Sequence, residues 1–134
     1  MQRRGSFTLV AVGVAGEVGG PDLETGGKSS SKSVSPDAAI AGFLVAEAGS
    51  RSRGHVITID VIAAARRFGV GSLLLRAAED RLHTAGSTLV ELETAVDNLS
   101  ALSFYKRHGY SVTKTFPRYY SNGVDALVLE KNLI

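Results

Sequence analysis

Apolar and polar positions change period several times along this chain, and each change predicts an element. Residues 7–15 form an apolar run with β-branched side chains and read as a strand, closed by Glu17 and Gly19. Residues 16–38 lose that pattern. Gly, Ser, Pro and Asp dominate there around a central SSSKS, which predicts a long flexible loop. Two strands follow, at 39–48 and 55–61, joined by a turn that opens on Gly49 and closes on Gly54. Beyond Gly71 the period lengthens: Leu74, Ala78, Leu82 and Ala85 recur along one helix face, and Gly86 ends the run. Residues 89–95 alternate again as a strand. Asn98 is placed to cap a second helix over 99–108, which Gly109 terminates. Strands at 110–115 and 124–131, around Ser121-Asn122-Gly123, complete the order βββαβαββ. No internal repeat interrupts it, and the order fits an α/β sandwich with a mostly antiparallel sheet.

Composition narrows the classes. At 134 residues the chain can bury a core without staples, and residues 1–134 read as one domain. It has no cysteine, which excludes disulfides and thiolate metal sites. His55, His83 and His108 lie far apart without metal-ligand spacing, so no metal site is expected and each reads as a surface or cap-region residue. The net charge of +2 is slight and the arginines are dispersed, which argues against a nucleic-acid partner. Arg3 and Arg4 ahead of FTLVAVGVAG imitate a secretory leader, but the β-branched content favours the strand. No apolar run reaches membrane-spanning length, so no membrane partner is expected.

The chemistry-bearing segment is ITIDVIAAARRFGVGSLLL, residues 57–75: a strand, two arginines, two close glycines and an amphipathic helix. Glycines let backbone approach a ligand, and the first N–H groups of a helix have no internal partner. The helix dipole and the arginines add positive charge, so a pyrophosphate is the natural guest. Two other phosphate loops fail. A dinucleotide fingerprint needs a third glycine where Leu74 stands, and its first glycine should follow the strand directly. Gly26-Gly27-Lys28-Ser29 imitates the end of a triphosphate loop, but Asp22 occupies the place of its first glycine and no apolar helix follows.

The pattern Arg66-x-x-Gly69-x-Gly71, between ITIDV and GSLLLRAAEDRL, resembles motif A of the GNAT acetyltransferases. One position departs, since members often carry a proline after that strand and this chain has Ile62 and Ala63. VELETAVDNLSALSFYKRHGYSV resembles the family's second signature, a strand, an Asn and a helix ending Tyr-x-x-x-Gly-Tyr. The tail RYYSNGVDALVLEK is similar to RimI-like and amino-terminal acetyltransferases, with a Tyr-Tyr pair, a turn and Asp-Ala before the last strand. The resemblance covers residues 39–131. Ahead of it the family has a strand and two helices that line the acceptor site, and residues 1–38 show no amphipathic run to match them.

The resemblance implies an α/β fold: a GNAT-like three-layer sandwich with a mixed, mostly antiparallel sheet and a shortened N-terminal part. It also implies acetyl-CoA as cofactor and direct N-acetyl transfer to a protein or peptide amino terminus. A cytoplasmic location follows, because a coenzyme A enzyme needs access to its cofactor. A small amine of the polyamine or aminoglycoside type is the alternative acceptor. A non-catalytic acyl-CoA-binding module is the reading from another class, and a homodimer is compatible with each.

Carried over to this sequence, the cofactor residues are Val61, Arg66, Arg67, Phe68, Gly69, Val70, Gly71, Ser72, Asn98 and Tyr105. A backbone N–H near Val61 is the expected oxyanion donor. Glu93 is the candidate base, near the end of its strand where the two central strands would part, with Glu91 the weaker alternative. An α-amine, with a pKa of about 7.7–8.0, needs only a weak base. Alternation of Glu91 and Glu93 is also how a solvated strand face reads. Tyr105 is the candidate proton donor to the leaving thiolate, and its spacing from Leu102 also suits core packing. Tyr119 and Tyr120 are candidates to line the acceptor groove.

Overall fold

The computed structural model describes residues 5–14, 22–25 and 38–133. Its elements are β1 (Gly5–Val14), β2 (Asp22–Thr25), β3 (Ala38–Ala48), β4 (Arg53–Val61), a 3₁₀ helix (Ala63–Phe68), α1 (Val70–Thr84), β5 (Leu89–Ala95), α2 (Leu99–Arg107), β6 (Ser111–Phe116) and β7 (Ala126–Asn132). They build a seven-stranded sheet in the order β2-β1-β3-β4-β5-β7-β6. Among the described strands only β4 and β5 run parallel, as a crossover through α1 requires; the other described pairs are antiparallel. The mixed α/β architecture with a mostly antiparallel sheet is the one expected.

The core lies between the sheet and the two helices. Leu9, Leu44, Leu92 and Leu129 from the strands meet Leu74, Leu75 and Leu82 of α1, all essentially sealed from solvent. Tyr105 of α2 joins the same cluster. Gly54 of β4 leaves room for Leu82, whose Cδ1 would lie 2.8 Å from an added Cβ. Burial of Leu74, Ala78 and Leu82 follows the expected helical face, but Ala85 is exposed, because α1 ends at Thr84 and the chain turns away through Gly86 at φ 102°.

Two departures are informative. Residues 16–38 are not loop throughout: Asp22–Thr25 pairs antiparallel with β1, Leu9 opposite Thr25, and β3 starts at Ala38. The long apolar β1 offers an open row of backbone groups, and pairing to it overrides the weak strand propensity of Asp-Leu-Glu-Thr. Residues 15–21 and 26–37, and Arg3 and Arg4, lie outside the described residues. The 3₁₀ helix was not expected either. It takes up the interval between β4 and Gly69, so Arg66 and Phe68 stand on a helical turn and not in an open loop.

A charged carboxylate is built into the edge of the core. The Tyr110 hydroxyl donates to Glu79 Oε2 at 2.7 Å, and Lys131 Nζ donates to Glu79 Oε1 at 3.0 Å. Glu79 is buried, so each of its oxygens depends on that partner. Tyr110→Phe is expected to lower unfolding free energy by about 1.5–3 kcal/mol, the usual cost of losing a buried hydrogen bond to a charged group. Urea denaturation checks it.

Candidate functional site

The decisive geometry is a gap in the middle of the sheet. β4 and β5 pair only from Arg53–Leu89 to His55–Glu91, after which the register ends and the strands part. A bulge in β4, where Val45 faces Thr58 but Ala46 faces Val56, shifts side-chain alternation at Ile57. Ile59 and Val61 thereby turn onto the helix face, while His55 stays on the other. On the helix face the gap opens into a cleft of about 700 Å³ lined by Val61, Arg66, Gly69, Gly71, Ser72, Asn98 and Tyr105, with Thr94 and Phe104 among its walls.

The cleft floor is the start of α1. Gly69 is the N-cap at φ 74°, a left-handed conformation that only glycine adopts without strain, and an added Cβ there would meet nothing within 4 Å. The first intrahelical bond runs from Leu73 N–H to Gly69 C=O at 3.0 Å, so the N–H groups of Val70, Gly71 and Ser72 have no helical acceptor. The Val70 side chain is buried in the core, leaving its backbone for the cleft. Gly71 has a packing role of its own. Its missing Cβ would lie 3.2 Å from Phe104 Cζ, so the residue lets α1 and α2 close together. Gly69→Ala is expected to cost about 1–2 kcal/mol of stability through backbone conformation alone, without a clash, as thermal or urea unfolding will show.

The arginines divide. Arg66 Nε donates to Val61 C=O at 3.0 Å and lines the cleft. The Arg67 side chain lies outside what is described. Phe68 is exposed and is not among the cleft-lining residues. Ile62 N–H bonds Ala41 C=O at 2.9 Å, and antiparallel alternation then turns the N–H of Val61 away from β3, toward the gap. Asn98 caps α2, its Oδ1 accepting from Ala101 N–H at 3.2 Å. Open donors, a strain-free left-handed glycine and a long cleft leading to the gap fit a pyrophosphate with an extended thioester arm.

Tyr105 is buried, and burial, with a smaller contribution from Tyr120, pushes its pKa up to about 12. Among the described residues no buried polar side-chain atom lacks a partner and the Tyr105 hydroxyl makes no hydrogen bond, so that hydroxyl reaches the cleft that the residue lines. It remains protonated across any working pH. Complete transfer to a thiolate whose acid has a pKa near 8.5 runs uphill by roughly 5 kcal/mol. Tyr105 is therefore suited to donating a hydrogen bond to the sulfur rather than giving up its proton.

Glu93 lies on the opposite sheet face, beside the gap. Its Oε1 is 2.8 Å from His55 Nε2, and both side chains are partly exposed. Sequence reasoning missed His55: nothing local shows that a parallel register brings it across from Glu91 and within reach of Glu93. The weaker candidate, Glu91, is engaged elsewhere. It stands opposite Glu130, and Arg53 bridges the two at 2.6 and 3.3 Å. Tyr119 and Tyr120 meet edge to face at 5.1 Å, and Tyr119 stacks on Phe116 at 6.0 Å. Burial raises the Tyr120 pKa, with Tyr119 and Glu93 adding to it. Among the described residues no cluster of His, Asp or Glu could hold a metal, and no helix is long and apolar enough to cross a membrane.

Comparison with known proteins gives the family and the fold independently. Residues 27–110 match the family model described as Acetyltransferase (GNAT) family. N-alpha-acetyltransferase 30 of Schizosaccharomyces pombe is 37% identical over 78 residues, 58% of this chain and 52% of that protein. The chain thus spans about half the length of this relative. The NatC complex bound to Gag peptide and CoA contains a chain 30% identical, with a TM-score of 0.68, covering 77% of this chain and 67% of that one. Nourseothricin acetyltransferase is 25% identical with a TM-score of 0.69, covering 98% of this chain and 89% of the other. With the family model spanning more than half of its residues, the chain belongs to the GNAT acetyltransferase family.

Proposed function

We propose that the chain transfers an acetyl group from acetyl-CoA to the α-amine of a protein or peptide amino terminus. The observation that carries this reading is the division of the site by the β4–β5 gap. A phosphate cradle and Tyr105 lie on one face, and the His55–Glu93 pair lies on the other. Acetyl-CoA supplies an acyl group activated by a thiol leaving group. The α1 N–H groups and Arg66 hold its pyrophosphate, and the Val61 N–H stabilises the charge that develops on the carbonyl oxygen. The amine attacks as the Glu93–His55 pair takes its proton, and the C–S bond breaks toward a sulfur that accepts a hydrogen bond from Tyr105. Glu93 Oε1 is bonded to His55, so Oε2 is the oxygen open to the amine or an intervening water. Tyr119, Tyr120 and Phe116 border the acceptor side. Likeness to proteins named N-alpha-acetyltransferase supports the α-amine, and use of acetyl-CoA implies a cytoplasmic setting.

A second acceptor class has an observation of its own: Nourseothricin acetyltransferase is matched over nearly the whole of this chain. The test is direct competition. With acetyl-CoA and an equimolar mixture of a lysine-free peptide and nourseothricin, the peptide α-amine is expected to be acetylated preferentially. Preferential modification of nourseothricin would replace the peptide reading with the small-amine one.

A further inference from the structure

His108 has no place in the scheme above, yet it touches the cradle. Its Nε2 lies 2.9 Å from Ser72 Oγ, and Ser72 is one of the residues that contributes an open N–H to the cleft floor. The ring is held from its side by Phe104, centroids 4.7 Å apart, the same ring that packs on Gly71. This is a joint between the two helices, made at the point where the pyrophosphate would lie.

The direction of that hydrogen bond decides what Ser72 can do. A hydroxyl has one proton. If Ser72 donates it to an unprotonated Nε2, only lone pairs face the cleft, and they repel phosphate oxygens. If Nε2–H donates to Oγ, the serine proton is free for the ligand. We propose that His108 is a positioning residue for the cofactor: its Nε2–H donates to Ser72 Oγ and commits the Ser72 hydroxyl proton to a pyrophosphate oxygen. This inference rests on the acetyl-CoA reading of the cleft and deepens it.

The charged groups facing His108 are Arg76 and Glu79 of α1, Arg107 of α2 and Lys131 of β7. Burial and Arg76 hold the imidazole below the usual histidine range; Glu79 opposes them, while Lys131 and Arg107 add to the lowering. Glu79 is already bonded to Tyr110 and Lys131. An arriving pyrophosphate reverses the balance and favours imidazolium, in which Nε2 is always a donor. Affinity should therefore rise as pH falls through the bound-state pKa of His108.

Calorimetric titration with dephospho-CoA tests this, because that ligand lacks the 3′-phosphate monoester, which itself titrates near pH 6. His108→Leu and Ser72→Ala are each expected to weaken binding at pH 7 about tenfold, the worth of one good hydrogen bond. Combining them should cost little more than either alone, since both break one relay. His108→Gln, whose amide N–H can replace Nε2–H, should bind within a fewfold of wild type but without the pH dependence. Unchanged affinity in His108→Leu, or losses that multiply in the double variant, would overturn the relay while leaving the cofactor reading in place. Absence of wild-type binding to dephospho-CoA and to CoA alike would overturn both.

Discussion

Glu93→Gln is expected to lower turnover on an α-amine by about 10²–10⁴-fold at pH 7, the usual worth of a positioned base, and by far less at pH 9. At pH 7 an amine with a pKa near 8 is mostly protonated, and the proton must go somewhere as nitrogen attacks. At pH 9 solvent has already taken it, so the carboxylate becomes dispensable. Glutamine keeps the size of the side chain and can still meet His55, now 2.8 Å from Glu93. A purely structural role would thus leave activity nearly intact at both values. Paired pH–rate profiles on a lysine-free peptide give the answer. Equal losses at both pH values would assign Glu93 to positioning the acceptor.

Tyr105→Phe is expected to lower turnover about 10–100-fold while acetyl-CoA binds as before, since a hydrogen bond to a charged group is worth about 1.5–3 kcal/mol. The loss should be the same from pH 6 to pH 9. The tyrosine, its pKa pushed up to about 12 mainly by burial, is protonated throughout that range. The ring stays packed against Tyr110, centroids 5.9 Å apart, and against Phe104 at 5.3 Å, so the fold should be preserved. A loss that grows with pH would mean that the hydroxyl delivers its proton outright. No loss would assign thiolate stabilisation to water.

Much of this frame was legible because the signals are local. The alternation of β5, the apolar face of α1, the Asn98 cap and the Arg66-x-x-Gly69-x-Gly71 spacing each report on a few neighbouring residues. What escaped reading depends on partners distant in sequence. β2 exists because β1 has an edge to pair with. His55 reaches Glu93 only through the parallel register, and His108 reaches Ser72 only because Gly71 lets α2 close on α1. The bulge at Ile57 turns Val61 into the cleft, yet ITIDV reads as unbroken alternation. Phe68 adjoins the cradle in sequence, but the 3₁₀ turn carries its side chain out to solvent.

In the proposed reaction an acetyl donor held on one sheet face meets an amine presented on the other, through the β4–β5 gap. Its most direct measurement is mass spectrometry of a lysine-free peptide with a free amino terminus, incubated with the full chain and acetyl-CoA. One acetyl group on the α-amine, absent when that terminus is blocked and strongly reduced by Glu93→Gln at pH 7, is the predicted result. Tight binding of acetyl-CoA without transfer to the peptide or to a small amine would rule out the transferase reading and leave a binding module in its place.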